Sequence, residues 1–154
     1  KDRTPMAGDR PAADSTTPGP NPQMAMNLLK LYYYMGDERY QKRAKEVLES
    51  FVVPALMYPI GHATFFRAVD FYLNEPLQAV IEADRHEALA LARLINSRVD
   101  KCIVLIDTGE GRRLPVFEGK SMSEGKPTVF FCKQGTCSMP LSGEEKIKEY
   151  LSRQ

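Results

Sequence analysis

The spacing of apolar residues changes at Pro76, and this change limits the chain to a fold that combines helices with a sheet. Before Pro76, apolar side chains recur every three or four residues, which is the period of a helix that buries one face. After it, the short apolar runs Leu77–Glu82 and Cys102–Asp107 are typical of buried strands. The amphipathic segment His86–Val99 lies between them, so the order predicts two parallel strands joined by a helix. We therefore predict an α+β chain.

Three helices are predicted before the change of period. Asn21 is expected to cap the first, with Pro22 as its first helical residue and Gly36 at its end. This helix is apolar on nearly every side, which favours burial among further helices.

A second helix is predicted to begin after the cap Asp37 and to stop at Pro54. Its apolar and charged residues fall on opposite faces, as in a helix with one buried side. A third helix is predicted over Ile60–Leu73, so that the helices form hairpins.

The last third of the chain predicts a further strand and a terminal helix. Val129–Phe131 reads as the strand, and Ser142 is expected to cap the helix. Five of the eleven prolines lie in residues 1–22, which predicts a loop or tail. The predicted organisation is thus a tail over residues 1–22, a helical segment over 23–74 and a small α/β domain over 75–154.

Charge and composition argue against several classes of partner. The 21 basic and 20 acidic residues nearly cancel and form no basic block, so we expect neither nucleic acid nor a membrane as a partner. The longest apolar runs are too short to span a bilayer, and the start of the chain lacks the layout of a signal peptide. Three cysteines, an odd number, fit a reducing compartment. These features predict a cytoplasmic protein.

Cys132 and Cys137 bracket a short loop after the third strand and allow several roles. Their spacing is wider than that of a redox Cys-x-x-Cys pair, although a loop of this size is able to close as a disulfide. Two thiols are too few for a zinc site, and His62 and His86 lack ligand spacing. A structural role is favoured over redox or metal chemistry, and no cofactor or metal is predicted.

Asp14 and Asn21 are the candidate substrate-facing residues. If the predicted helices belong to a helical toroid, the loops at one end of such a fold carry the acidic groups that face its central funnel. Asp14 precedes an apolar helix by seven residues, which allows such a placement. The simpler interpretation makes Asp14 a solvated loop residue and Asn21 a helix cap. The Gly109–Arg113 loop follows a parallel strand, but it lacks a phosphate-binding motif and is interpreted as a surface turn.

Several spaced motifs resemble the thioredoxin-domain-containing family that includes the bacterial YyaL-type proteins and the spermatogenesis-associated thioredoxin-like proteins of animals. The family's Asp-Gly-Ala-x-Pro-Ser-x-Asn-Ser loop is similar to Asp-Ser-Thr-Thr-Pro-Gly-Pro-Asn-Pro at residues 14–22. Its Asn-Leu-Leu-x-Leu helix matches Asn27–Leu31, and its ending with two cysteines and a proline is similar to Thr128–Pro140. The Ser-x-Asn-Ser of the family loop is Gly-Pro-Asn-Pro here, which removes two hydroxyl groups.

The resemblance implies a larger architecture. Family members carry an N-terminal thioredoxin-like domain, an (α/α) barrel like those of six-hairpin glycosidases and N-acylglucosamine 2-epimerases, and a small α/β tail. The present chain would then hold the terminal helical hairpins of the toroid, followed by the α/β layer. Its implied partners are the missing upstream thioredoxin-like and barrel portions, and its implied substrate is a small carbohydrate.

The leading hypothesis is a non-catalytic C-terminal module, since the chain offers at best Asp14 as one acid/base group. One alternative is a thiol redox module in which Cys132 and Cys137 exchange electrons with a thioredoxin-like domain. A second is a protein-interaction module in which the exposed face of the first helix binds a partner.

Overall fold

The computed structural model describes residues 12–109, 114–133 and 135–153, and these residues form two compact units. The first unit contains residues 12–32 and 37–74, and the second contains residues 33–36 and 75–153. Helices and a sheet are both present, as the predicted α+β class requires.

The first unit is helical. Its elements are α1 (Pro20–Met35), whose last three residues are counted with the second unit, α2 (Glu38–Glu49), α3 (Val52–Met57), a 3₁₀ turn (Pro59–His62) and α4 (Ala63–Leu73). Its core combines three larger side chains, Leu29, Leu48 and Phe65, with alanines from four helices. Small residues at the contacts allow the helix axes to lie close together.

The first helix begins earlier than predicted, at Pro20 instead of Pro22, so the prediction that Asn21 caps it is wrong. Gly19 occupies the preceding position, where a Cβ atom would overlap the carbonyl oxygen of Ala12. Only glycine allows this close approach of two backbone segments. Pro20 then serves as the first helical residue, because its fixed φ suits the helix and no N–H is needed there.

The second helix confirms one prediction and corrects another. The Asp37 side chain accepts a hydrogen bond from the Arg39 amide at 3.0 Å, as expected of a cap. The helix ends at Glu49, so Pro54 does not stop it. Pro54 lies in the first turn of α3, where the missing N–H leaves no hydrogen bond unmade. The predicted third helix, Ile60–Leu73, begins as the 3₁₀ turn and becomes α-helical only at Ala63.

The second unit is a five-stranded sheet with two helices. Its elements are β1 (Leu77–Glu82), α5 (Arg85–Asn96), β2 (Cys102–Asp107), a 3₁₀ turn (Pro115–Phe117), β3 (Thr128–Lys133), β4 (Thr136–Cys137), β5 (Leu141–Ser142) and α6 (Glu144–Leu151). The strand order is β2-β1-β3-β4, and β5 also pairs with β3. β1 and β2 are parallel, which confirms the predicted β-α-β unit, whereas β3 runs antiparallel to β1.

One face of this sheet packs against α5 and α6 through fully buried side chains that include Ile81, Val129, Phe131, Ile95 and Ile147. The ring of Phe131 stacks on that of Tyr150, with centroids 4.4 Å apart. The prediction that Ser142 caps the terminal helix is wrong. Ser142 belongs to β5, where its hydroxyl lies 3.1 Å from that of Thr128, and Gly143 precedes α6.

Candidate functional site

Asp14 joins the segment before α1 to the start of α4. One carboxylate oxygen accepts the Gly19 amide at 2.7 Å, and the other accepts the Thr64 amide at 2.8 Å. The Asp14 amide donates to the Gly61 carbonyl at 2.7 Å. Thr64 lies in the first turn of α4, where helix amides have no partner within the helix. Asp14 therefore caps α4 across 50 residues of sequence.

The hydrogen bonds of Asp14 also decide its protonation. Burial raises the pKa of this carboxyl, but the bonds from the Thr64 and Gly19 amides outweigh burial and hold the pKa below its ordinary value. A general acid needs the opposite shift, towards the working pH. The observed contacts thus give Asp14 a structural role, and its catalytic role stays a prediction.

Asn21 is placed differently from Asp14. It is half-buried in the first turn of α1, whereas both oxygens of Asp14 bind the backbone amides of Gly19 and Thr64. The two residues share one stretch of chain, seven positions apart. Their joint binding of a substrate remains a prediction.

Cys132 and Cys137 form a disulfide across the hairpin of β3 and β4. The two residues are direct partners in the antiparallel register, and their Cα atoms are 3.9 Å apart. Cys132 is buried at the end of β3, while Cys137 is exposed. Gly135 has a φ of 72°, a left-handed value that favours glycine and allows the tight turn between the two strands.

Backbone and side-chain contacts anchor the hairpin beyond the disulfide. The Ser138 amide donates to the Phe131 carbonyl at 2.7 Å, and the Ser138 hydroxyl accepts the Phe131 amide at 3.1 Å. Because Phe131 is buried and stacks on the half-buried Tyr150, the disulfide is one residue away from a stacked aromatic pair. The bond is a covalent staple between β3 and β4, and Cys137 is the exposed residue of the pair.

An acidic cavity of about 590 Å³ lies where the parallel strands β1 and β2 end. Such edges are common ligand sites in parallel sheets. The acidic groups that line this cavity are Glu82, Asp84, Glu87 and Asp107. This cavity is not among the sites predicted from the sequence, although the acidic residue at the end of each strand was an available signal.

Two acidic groups of the cavity, Asp84 and Asp107, accept hydrogen bonds from the local backbone. Asp84 caps α5 by accepting the His86 and Glu87 amides at 2.9 Å, and the bond from Glu87 lowers the pKa of Asp84. A side-chain hydrogen bond to Asp84 raises the pKa of Glu87. Asp107 accepts the Gly109 amide at 2.8 Å. The negative charge disfavours a phosphate here. The Gly109–Arg113 loop was also considered for phosphate binding, and its residues 110–113 lie outside the described residues.

The described residues contain neither a cluster of metal ligands nor a membrane-spanning helix. Across residues 12–109, 114–133 and 135–153, no three His, Cys, Asp or Glu side chains are grouped as metal ligands. No helix in the same ranges is both long and apolar enough to cross a bilayer.

The class defined by these observations is an α+β protein with a helical unit and a stapled mixed sheet. No protein-family model matches the chain. It is similar to human spermatogenesis-associated protein 20, with 24% identity over 146 residues. The match covers 90% of this chain and 19% of the relative, so the chain spans about a fifth of the relative's length. This distant relation agrees with the animal branch of the resemblance noted above.

Proposed function

We propose that this chain is a non-catalytic C-terminal module of a larger protein related to spermatogenesis-associated protein 20. In this proposal, the helical unit forms the terminal hairpins of an (α/α) toroid, and upstream barrel helices cover it. A thioredoxin-like domain precedes the barrel. Two observations support the proposal. The match covers only 19% of the relative's length, and the helical unit has an exposed apolar surface.

The observation that carries the proposal is a run of exposed apolar side chains on α3 and the 3₁₀ turn after it. Val53, Met57 and Ile60 are 68%, 81% and 88% exposed, and Leu56 and Tyr58 are also largely exposed. We call these five residues the α3 surface. Single exposed apolar residues are ordinary, but a contiguous group marks a contact surface.

The α3 surface is also free of charge. No Asp, Glu, Lys or Arg occurs between Phe51 and Phe66, and His62 within this stretch is buried. A surface without formal charges offers no electrostatic recognition to nucleic acid or to a charged peptide. It fits the apolar side of another helix, which is what a neighbouring barrel hairpin would present.

A labelling experiment tests this assignment. Ile60→Cys is introduced into the 154-residue chain and into the longer protein that contains it, and the rate of alkylation is compared. We expect rapid labelling in the short chain and at least roughly tenfold slower labelling in the longer one, because packed helices exclude the reagent.

Lys45→Cys, on the charged outer side of α2, is the matched control and should react equally fast in both proteins. Equal labelling of Ile60→Cys in the two proteins would remove the barrel contact from the proposal.

In this proposal no residue of this chain takes part in catalysis, although a small carbohydrate remains the predicted substrate of the whole protein. The hydrogen bonds of Asp14 support this reading, since both carboxylate oxygens already accept amides. Turnover of N-acyl-hexosamines by the full-length protein should be unchanged by Asp14→Asn, once folding is verified by circular dichroism. A selective loss of turnover would instead make Asp14 a catalytic residue.

A second candidate function is thiol exchange through Cys132 and Cys137, which the observed disulfide favours. A thiolate of the thioredoxin-like domain would attack the sulfur of Cys137, the exposed residue of the pair, and release Cys132 as a thiolate. The second thiol of that domain would then displace Cys137. Two electrons reach this chain, its disulfide becomes two thiols, and the donor dithiol becomes a disulfide.

Mass spectrometry after incubation with a reduced thioredoxin tests this exchange. Reduction of the pair, with a trapped mixed disulfide on Cys137 when the donor lacks its second thiol, would support the redox function. A pair that stays oxidised in the folded protein, but is reduced after unfolding, would show that the disulfide is only structural.

A further inference from the structure

Strand β2 lies at one edge of the sheet, with β1 as its neighbour on the other side. Within the described residues, no strand pairs with its outer edge. The strand is six residues long and contains no proline, lysine or bulge of the kind that usually protects an edge. Such an edge offers a row of backbone groups to another strand.

The hydrogen bonds to β1 show which backbone groups point outward. The Lys101 and Asp107 carbonyls accept the Leu77 and Ala83 amides, at 3.1 and 3.3 Å. In a parallel ladder, alternate residues bond to the same neighbour, so the odd-numbered residues of β2 face β1. The backbone groups of Cys102, Val104 and Ile106 therefore point away from the sheet.

The sequence of this edge is complementary to itself in the antiparallel direction. If a two-fold axis passes through Val104, Val104 of one chain lies opposite Val104 of a second copy. Cys102 of each chain then lies opposite Ile106 of the other. The same register pairs every residue from 101 to 107, and it sets Lys101 of one copy opposite Asp107 of the other. A symmetric register that is shifted along the strand pairs fewer of these residues and separates the two charges.

We propose that β2 is a docking edge for a second copy of this chain, paired antiparallel about Val104. The outward backbone groups of Cys102, Val104 and Ile106 then form the hydrogen-bonded pairs, and their half-buried side chains continue one apolar face. Ile103 and Leu105 meet on the opposite face, where both are already buried within each copy. The two five-stranded sheets become one continuous sheet.

The charged ends give the pairing its specificity. Lys101 and Asp107 fall at positions without ladder hydrogen bonds to the new strand, where opposed side chains come closest. Two such opposite-charge pairs form in each dimer, one on either side of the axis. Like charges at the same positions are destabilising. A single charge reversal therefore replaces two attractions by two repulsions.

Charge reversal in the full chain tests the register. Lys101→Glu alone and Asp107→Lys alone should each weaken dimerisation by roughly tenfold in sedimentation equilibrium. The double variant restores both pairs and should dimerise like the unaltered chain. An equimolar mixture of the single variants should form heterodimers, because each interface then contains two opposite-charge pairs. Double and single variants that weaken the dimer alike would overturn the register.

A cysteine at the axis tests the geometry independently of charge. Cys102→Ser/Val104→Cys places two thiols in directly opposed residues about 5.5 Å apart at Cα, within the range of a disulfide. Mild oxidation should produce a covalent dimer, while Arg98→Cys, in the Cys102→Ser background and far from its own copy in this register, should not. Circular dichroism checks that each variant is folded. A chain that stays monomeric into the millimolar range, or that crosslinks equally at both positions, would overturn the proposal.

Discussion

The two units of this chain bury their apolar residues to different extents. The α/β unit packs large side chains such as Phe131, Ile95 and Ile147 between its sheet and two helices, with almost no exposure. The helical unit fills much of its core with alanine and leaves the larger residues of the α3 surface in solvent. A sheet covered by helices closes its own core, whereas a few short helices need neighbours to do so. The proposed barrel contact on the α3 surface would account for this difference.

The largest expected effect comes from truncating the core of the α/β unit. Phe131→Ala should lower the free energy of unfolding by about 3–5 kcal/mol, because it leaves a cavity and removes the stack on Tyr150. Ile60→Ala, on the α3 surface, should change it by no more than about 0.5 kcal/mol. Urea unfolding followed by circular dichroism measures both. Similar losses at the two positions would show that the two units do not differ in how completely they bury their apolar residues.

A smaller effect is expected from removing the disulfide staple. Cys137→Ser should destabilise the α/β unit by about 2 kcal/mol, the loop-closure value for a bond between residues five apart. Thermal unfolding of the unaltered chain should then respond to a reducing agent, and that of Cys137→Ser should not. Cys102→Ser, which leaves the bond intact, is the control and should keep the response to reductant.

The cap on α4 should contribute slightly less than the staple. Asp14→Ala should cost about 1–2 kcal/mol, since it leaves the Thr64 amide without its partner. The folded pKa of Asp14 lies below its ordinary value of 3.8, so the stabilisation is fully present above that value. It is lost as the pH falls through the folded pKa.

Unfolding of the native chain and of Asp14→Asn across the acid range measures this pH dependence. The difference between the two should be constant near neutral pH and shrink at the acid end. A difference that persists unchanged below the folded pKa would indicate that packing, and not the carboxylate, is responsible.

The smallest effect is expected on the charged outer side of α2. Lys45 and Glu49 form an exposed ion pair at 3.7 Å, one helical turn apart. Lys45→Ala should change the free energy of unfolding by no more than about 0.5 kcal/mol, and salt should reduce the change further. A double-mutant cycle with Glu49→Ala at low and high salt isolates the pair. A loss comparable to that at Asp14 would mean that this side is in contact with something other than solvent.

The strands of the β-α-β unit were predictable because their signal is local. The runs Leu77–Glu82 and Cys102–Asp107 coincide with β1 and β2, since a strand buried on both faces must be apolar along its whole length. The two-residue strands β4 and β5 have no such signal, because strands this short show no period. Ser142 was consequently mistaken for a helix cap.

The candidate site was less predictable, because its contacts join distant parts of the sequence. Asp14 was a candidate because it is an acidic residue before a helix, but its hydrogen-bond partner Thr64 is 50 residues away in the sequence. The acids of the cavity come from the ends of two strands and the start of α5, which only sheet pairing brings together. A sequence pattern identifies each of these residues separately and does not show which of them are close together in space.

Local patterns in the sequence were enough to predict the helices other than the short α3, apart from several of their boundaries, together with the two parallel strands and the cap at Asp37. Tertiary structure decided where Asp14 binds, that Cys132 and Cys137 pair, and which apolar residues remain in solvent. Local periodicity follows from the geometry of one helix or strand. The hydrogen-bond partners of a residue and its burial depend instead on which segments of the chain pack together. The spacing of residues along the sequence does not directly show which segments these are.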